Sequence, residues 1–229
     1  MLYHIVYQEE LIKMFRMDEL RYKILLLFLI LSIYNLYPQE QNRDHFSPWL
    51  MPAIVYKPTA KFSLFNQLAY SPYKNSAFLY VLGTYKINNS VTLGGGYFLY
   101  TLKNNQNKTY IENDLILSSI FSIPIPLFLI EYRNMNMFIF PENLRMQYYS
   151  RNRLRLITQD KLISKNIKPY IYMEEYYNFN EKQWFRSRKG LGVLVKTSEN
   201  TQLDISYIFQ QQRNIQDLHL MFFQFIVTI

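Results

Sequence analysis

Three arginines alternate with neutral residues in the segment Tyr149-Ser-Arg-Asn-Arg-Leu-Arg-Leu156. At a two-residue period Arg151, Arg153 and Arg155 share one face of a strand, and Leu154 and Leu156 share the other. Guanidinium groups in such a row can fork onto carboxylates or phosphates, or, lining a closed sheet, draw anions along it. Neighbouring segments carry charges of matching parity: Glu131 and Arg133, then Glu174, then Arg186 and Arg188, then Asp204. An Arg or Lys facing lipid at the midplane costs about 2–4 kcal/mol, so an interior, lumen-facing ladder is the expected placement if the strands cross a membrane. One reading is a salt-bridged ladder that fills the interior. The sharper one is an anion-attracting constriction, because the arginines outnumber the acids beside them.

Other chemistries find little support. The chain has no Cys, which removes disulfides, thiolate catalysis and a lipid-modified N-terminus, and deprives zinc and iron–sulfur sites of their favoured ligand. No metal site or cofactor is expected. Of the three His residues, His4 and His45 lie near the start and His219 opens the last apolar run. A Ser206–His219 dyad for lipid hydrolysis would need both side chains on one face, and their parities are opposite, so no catalytic residue is assigned. Gly94-Gly-Gly96 lacks the following helix and the Lys-Ser or Lys-Thr of a phosphate loop, and reads as relief of crowding in a strand. The net charge of +8 invites a nucleic-acid reading. The basic residues are scattered over strands and turns without a recognition helix or zinc motif, so no nucleic-acid partner is expected.

The elements that must position the ladder follow from alternation. Beyond residue 41 apolar residues recur at every second position, with no convincing 3.6-residue period. Phe62, Leu64, Leu68 and Tyr70 oppose Lys61, Ser63 and Gln67; Leu203, Ile205, Tyr207 and Phe209 oppose Gln202, Asp204, Ser206 and Gln210. Strand-like segments fall near 49–57, 61–71, 76–87, 91–102, 109–122, 127–140, 146–161, 167–179, 184–197, 201–213 and 218–229. Compact turn signals such as Asn88-Asn-Ser90 and Ser198-Glu-Asn200 separate them, and the polar stretches 103–108, 180–183 and 210–217 are expected as outward-facing loops. The final segment, 218–229, supplies an apolar strand able to close the sheet on its first strand and leave no edge. The 21 Tyr and 17 Phe fit the aromatic girdles of such a barrel.

The expectation is an all-β protein: a transmembrane antiparallel up-and-down β-barrel of about 12 strands, with 10 as the alternative, because single-chain bacterial barrels have even numbers. A signal helix should precede it. Arg21 and Lys23 lead into an apolar run at 24–34, too short to span a bilayer, which needs roughly 20 residues. The organisation expected is an over-extended start at 1–16, a signal peptide at 17–39, a lead-in at 40–48 and the barrel at 49–229.

The Tyr149–Leu156 run, followed by Lys168-Pro-Tyr-Ile171 with Glu174 and Tyr177-Asn178, then residues 186–192 and 203–209, resembles an uncharacterised outer-membrane barrel family, domain-of-unknown-function family 2490. The resemblance runs from about Trp49 to the C-terminus; Val193, where an aromatic is expected, and the terminal Ile229 depart from the pattern. It implies an exported barrel of a Gram-negative bacterium; with the strand pattern, the expectation is a monomer in the outer membrane, with lipid around it and the barrel-assembly machinery acting on it during insertion. It brings no catalytic residues. Three functions remain in view: a narrow channel or structural surface protein, a lipid-modifying hydrolase, and a soluble periplasmic lipid-binding barrel. The last predicts the opposite placement of Arg153 and Leu154.

Overall fold

The computed structural model describes residues 45–72, 75–103, 109–141, 145–160, 162–213 and 215–229, all within the compact unit Asp44–Ile229. Eleven strands follow one another: β1 (His45–Tyr56), β2 (Phe62–Ser71), β3 (Ser76–Lys86), β4 (Val91–Lys103), β5 (Thr109–Pro124), β6 (Phe128–Pro141), β7 (Gln147–Thr158), β8 (Ile167–Asn178), β9 (Gln183–Lys196), β10 (Thr201–Gln212) and β11 (Ile215–Thr228). Each pairs with its chain neighbours, and β1 joins β11 to close a barrel.

The strand number corrects the expectation of 12 or 10: the barrel described here has eleven strands and is not wholly antiparallel. An odd number of up-and-down strands leaves the first and last pointing the same way, so they can meet only in parallel. β1 and β11 do so in unbroken register from His45↔Leu218 to Val55↔Thr228. Beyond that register the Ile229 N–H donates to the Val55 carbonyl and the Lys57 N–H to the Ile229 carbonyl, both at 2.9 Å. Two boundaries also move. The first strand begins at His45, inside the expected lead-in, because β1 accommodates Pro48 and Pro52. The expected loop 210–217 is instead a tight hairpin in which Gln212 pairs with Ile215. Its glutamines looked like loop residues, yet Gln210 is 4% exposed and serves the interior. The expected start, signal segment and 103–108 loop lie wholly or largely outside the described residues. Among those residues no helix is long and apolar enough to cross a membrane, which says nothing of a β-barrel.

Alternation sets the two faces of the wall. On β1, Ser47, Trp49, Met51 and Ala53 are buried, whereas Phe46, Leu50 and Ile54 are each at least half exposed. The enclosed face of the first strands is apolar and aromatic: Trp49, Met51 and Ala69 pack with Phe78, Tyr100 and Phe222, and Leu82, Ile116 and Met135 pack with Phe65, Tyr80 and Phe98. Turns are fixed locally; the Asn88 carboxamide oxygen accepts from the Ser90 and Val91 N–H groups at 2.8 Å, an Asx turn that reverses the chain between β3 and β4.

Gly96 is required by that packing. A Cβ there would lie 2.2 Å from the Val81 carbonyl oxygen and 3.0 Å from the Leu82 Cα, both backbone atoms, whereas at Gly95 the nearest contact would be an ordinary 3.8 Å. Gly96→Ala is therefore expected to destabilise the barrel by about 1–3 kcal/mol as an overpacked site. Gly95→Ala should stay within about 0.5 kcal/mol of the parent. Unfolding midpoints check the ranking, and equal midpoints would refute it.

Candidate functional site

The arginine row stands on β7, where antiparallel register places it between the acids of β6 and β8. Glu131 of β6 lies opposite Arg155, and Arg133 lies opposite Arg153. On the other side Arg153 lies opposite Glu174 of β8, which in turn faces Arg188 of β9. Directly opposed side chains share a face and come within reach of each other. Arg133, Arg153, Glu174, Arg188 and Gln210 thus form one rung across five strands.

Glu174 is the hub of this cluster. At 1% exposure its Oε2 lies 2.8 Å from Arg151 Nη2, an ion pair without hydrogen-bond geometry, and its Oε1 accepts from Arg188 Nη1 at 3.3 Å. The same Oε1 accepts from the Tyr176 hydroxyl at 2.8 Å. Glu131 plays the corresponding part nearer the other rim, 3.2 Å from Arg153 Nη2 and 3.0 Å from Arg155 Nη2. Arg188 also donates to Gln210 Oε1 at 2.6 Å and to Tyr176 Oη at 2.7 Å. Arg186 joins through Tyr176, whose ring centroid is 5.0 Å from the guanidinium carbon, and donates to Gln212 at 3.0 Å. Asp204 stands apart from the ion pairs; it accepts from the Tyr170 hydroxyl at 2.6 Å, and Arg155 lies over that tyrosine's ring. Arg133 makes no ion pair with any described residue, and its Nε, like those of Arg151, Arg153 and Arg155, has no hydrogen-bond partner there.

Sequence reasoning passed over the tyrosines that order this wall. Arg151, Arg153 and Arg155 sit over the rings of Tyr176, Tyr172 and Tyr170 at 5.3, 5.9 and 5.4 Å. Two of those rings lie flat because β9 has glycine opposite them: a Cβ at Gly190 would come 2.4 Å from the Tyr172 ring, and one at Gly192 would come 2.5 Å from that of Tyr170. Alternating Tyr170, Tyr172 and Tyr176 against a Gly-Leu-Gly segment was the available signal. Asp114 was also missed; it is fully buried opposite Phe98 and Ile139, with neither carboxylate oxygen hydrogen-bonded among the described residues.

Ser206 and His219 are not brought together. Ser206 is 5% exposed on the enclosed face between Gly192 and Phe222, while His219 pairs with Phe46 and Phe209 and bonds the Tyr207 hydroxyl on the outer face. No group of three or more His, Asp or Glu among the described residues could hold a metal ion. Outside the strand core, Asp160 pairs with Lys168 at 2.7 Å, and this hydrogen bond holds its carboxyl below the usual range. What the charged wall can do chemically is hold guanidinium and carboxylate groups rigidly out of water while keeping unmet N–H donors, a setting suited to oxyanions or ordered water.

Removing the hub leaves buried guanidinium groups uncompensated. Glu174→Gln is expected to lower unfolding free energy by about 3–5 kcal/mol. Asp160→Asn, at an exposed pair screened by solvent, should leave the unfolding midpoint unchanged. Chemical denaturation of both variants tests this, and equal losses would deny Glu174 its central role.

The family described as Protein of unknown function (DUF2490) matches residues 46–219. A search of curated proteins finds no match.

Proposed function

The chain belongs to the DUF2490 family, and on that premise we propose that it is an integral outer-membrane β-barrel of a Gram-negative bacterium, monomeric and set in lipid, whose interior is largely filled by its own side chains. The observation that carries this reading is the inversion of polarity across the wall. Glu174 is 1% exposed and its partners Arg151 and Arg188 are largely covered, while Leu154, between Arg153 and Arg155, is 46% exposed and Leu117 is 58% exposed. A soluble barrel holding an apolar ligand has the reverse arrangement, with charges outward and the apolar residues within.

Polar groups on the outer face behave as lipid requires. Asn134 donates to Ser150 and Asn152 at 3.0 and 2.8 Å, Asn136 donates to Asn134, and the Tyr132 and Tyr148 hydroxyls donate to Asn152 and Asn136. Glu175 accepts from Ser187 at 2.7 Å. Such self-contained networks lower the cost of polar atoms in hydrocarbon. Lys189, exposed on the same face, has a long stem that can carry its ammonium toward the interface.

Expressed with its own leader, the protein should fractionate with outer membranes and migrate differently on gels before and after boiling; soluble protein without a shift would sink the proposal. Leu154→Arg should impair insertion more than Arg153→Leu, since it sets a charge against lipid at about 2–4 kcal/mol. The opposite ranking would exchange inside for outside.

A narrow anion path is the second reading, favoured by Arg133, which stands opposite Arg153 with no carboxylate of its own among the described residues. Planar-bilayer recordings should then show small, anion-preferring currents that lose their preference when Arg151, Arg153 and Arg155 are neutralised together. A parent protein without conductance removes this reading.

A further inference from the structure

The wall is not equally sealed all round. β1 pairs with β2 at Leu50↔Tyr70 and again from Ala53↔Gln67 to Tyr56↔Leu64, and among the described residues Met51 and Pro52 have no partner between these stretches. The constant register would set Pro52 opposite Leu68. The backbone explains the interruption. The Val55 carbonyl and the Lys57 N–H both bond to Ile229 beyond the end of β11, so odd-numbered residues of this strand turn their peptide groups toward β11 and even-numbered ones toward β2. Pro48 and Pro52 are even-numbered, and proline has no N–H to donate. Both prolines therefore withdraw donors from the β1–β2 seam and leave the closing β1–β11 seam intact.

Directly over this interruption the outer face carries a groove of about 420 Å³ whose sides include Leu50, Pro52, Leu68, Ala77, Leu79 and Leu99. Small-molecule sites occupy about 300–1,000 Å³, so the groove is large enough for one flexible chain. Thr101 on its rim donates its hydroxyl to the Ala77 carbonyl at 3.3 Å and so offers no unmet donor to a ligand. Its floor is unusual: Ala69 and Phe78 belong to the enclosed face. Phe78 packs on Trp49 at 5.4 Å and on Phe98 at 5.0 Å, so a residue that lines the outer groove is also a member of the interior aromatic cluster.

We propose that the β1–β2 seam is a binding slot for a single lipid acyl chain, which lies along the outer groove and reaches the aromatic cluster through the interruption at Pro52. A methylene chain is the occupant that this lining fits. A peptide or a second copy of the barrel would bring polar backbone groups that the apolar sides cannot satisfy. The slot rests on the membrane reading above, because lipid must bathe the outer wall to supply the chain.

Trp49 is a built-in reporter. It is 7% exposed and packs at a tilt against the lining residue Phe78, and the chain has only one other tryptophan, Trp184. The full-length Trp184→Phe protein would be reconstituted into phosphatidylcholine vesicles carrying bromine in mid-chain, with unbrominated vesicles as reference and flotation as the separate measure of insertion. Trp49 fluorescence should be lost in the brominated vesicles. That loss should shrink when Ala77→Phe fills the groove, and also when Pro52→Val restores the missing donor; if the first variant does not fold, the second still reads the slot. Floating protein whose Trp49 is unquenched, or equally quenched in parent and folded variants, overturns the slot while sparing the membrane reading. Protein that fails to float overturns both.

Discussion

Everything in this molecule depends on closure. A sheet of eleven up-and-down strands leaves two open edges, each a row of unpaired peptide groups, unless its first and last strands meet. With an odd count they run in the same direction, and the parallel ladder from His45↔Leu218 to Val55↔Thr228 is the pairing that removes the edges. Once the sheet is closed, the alternation within each strand acquires a meaning. One set of side chains is enclosed and the other is turned out, so a one-residue difference in parity separates Arg153 from Leu154.

The enclosed face is divided. Strands β6 to β10 bring an arginine-rich wall whose charges converge on two carboxylates, Glu174 and Glu131. Burying so many guanidinium groups would be prohibitive without those partners, the tyrosine faces beneath them and the glutamine acceptors on β10. The glycines at 190 and 192 give the tyrosine rings room to lie flat. Strands β1 to β4 bring instead an aromatic and apolar wall around Trp49, Phe78 and Leu82. The prolines of β1 fall on this second wall, where a weakened seam opens toward apolar surroundings and leaves the buried charges undisturbed.

This division gives the proposed functions a common physical basis. Charged groups held away from water define what the barrel can contain, and the apolar exterior with its self-satisfied asparagine network defines what can surround it. Ser206 and His219, by contrast, are separated by the sheet itself.

By itself the sequence determined the strands and their parity. Local alternation made Arg151, Arg153 and Arg155 neighbours on one face, and turn residues such as Asn88 marked reversals that need only a few residues to form. Its eleven alternating segments match the eleven strands, and it was the even-number rule for bacterial barrels that set the expectation at 12; the parallel seam that an odd count requires leaves no local mark, since closure joins residues that are furthest apart in the chain. Pro48 and Pro52 obscured the start of β1, because a proline is hostile to a central strand unless its bare nitrogen faces an interrupted seam. The glutamines at 210 and 212 read as loop because their hydrogen-bonding partners, Arg188 and Arg186, lie on another strand. The hub role of Glu174, likewise, came from register: only tertiary pairing chooses which arginine each buried carboxylate meets.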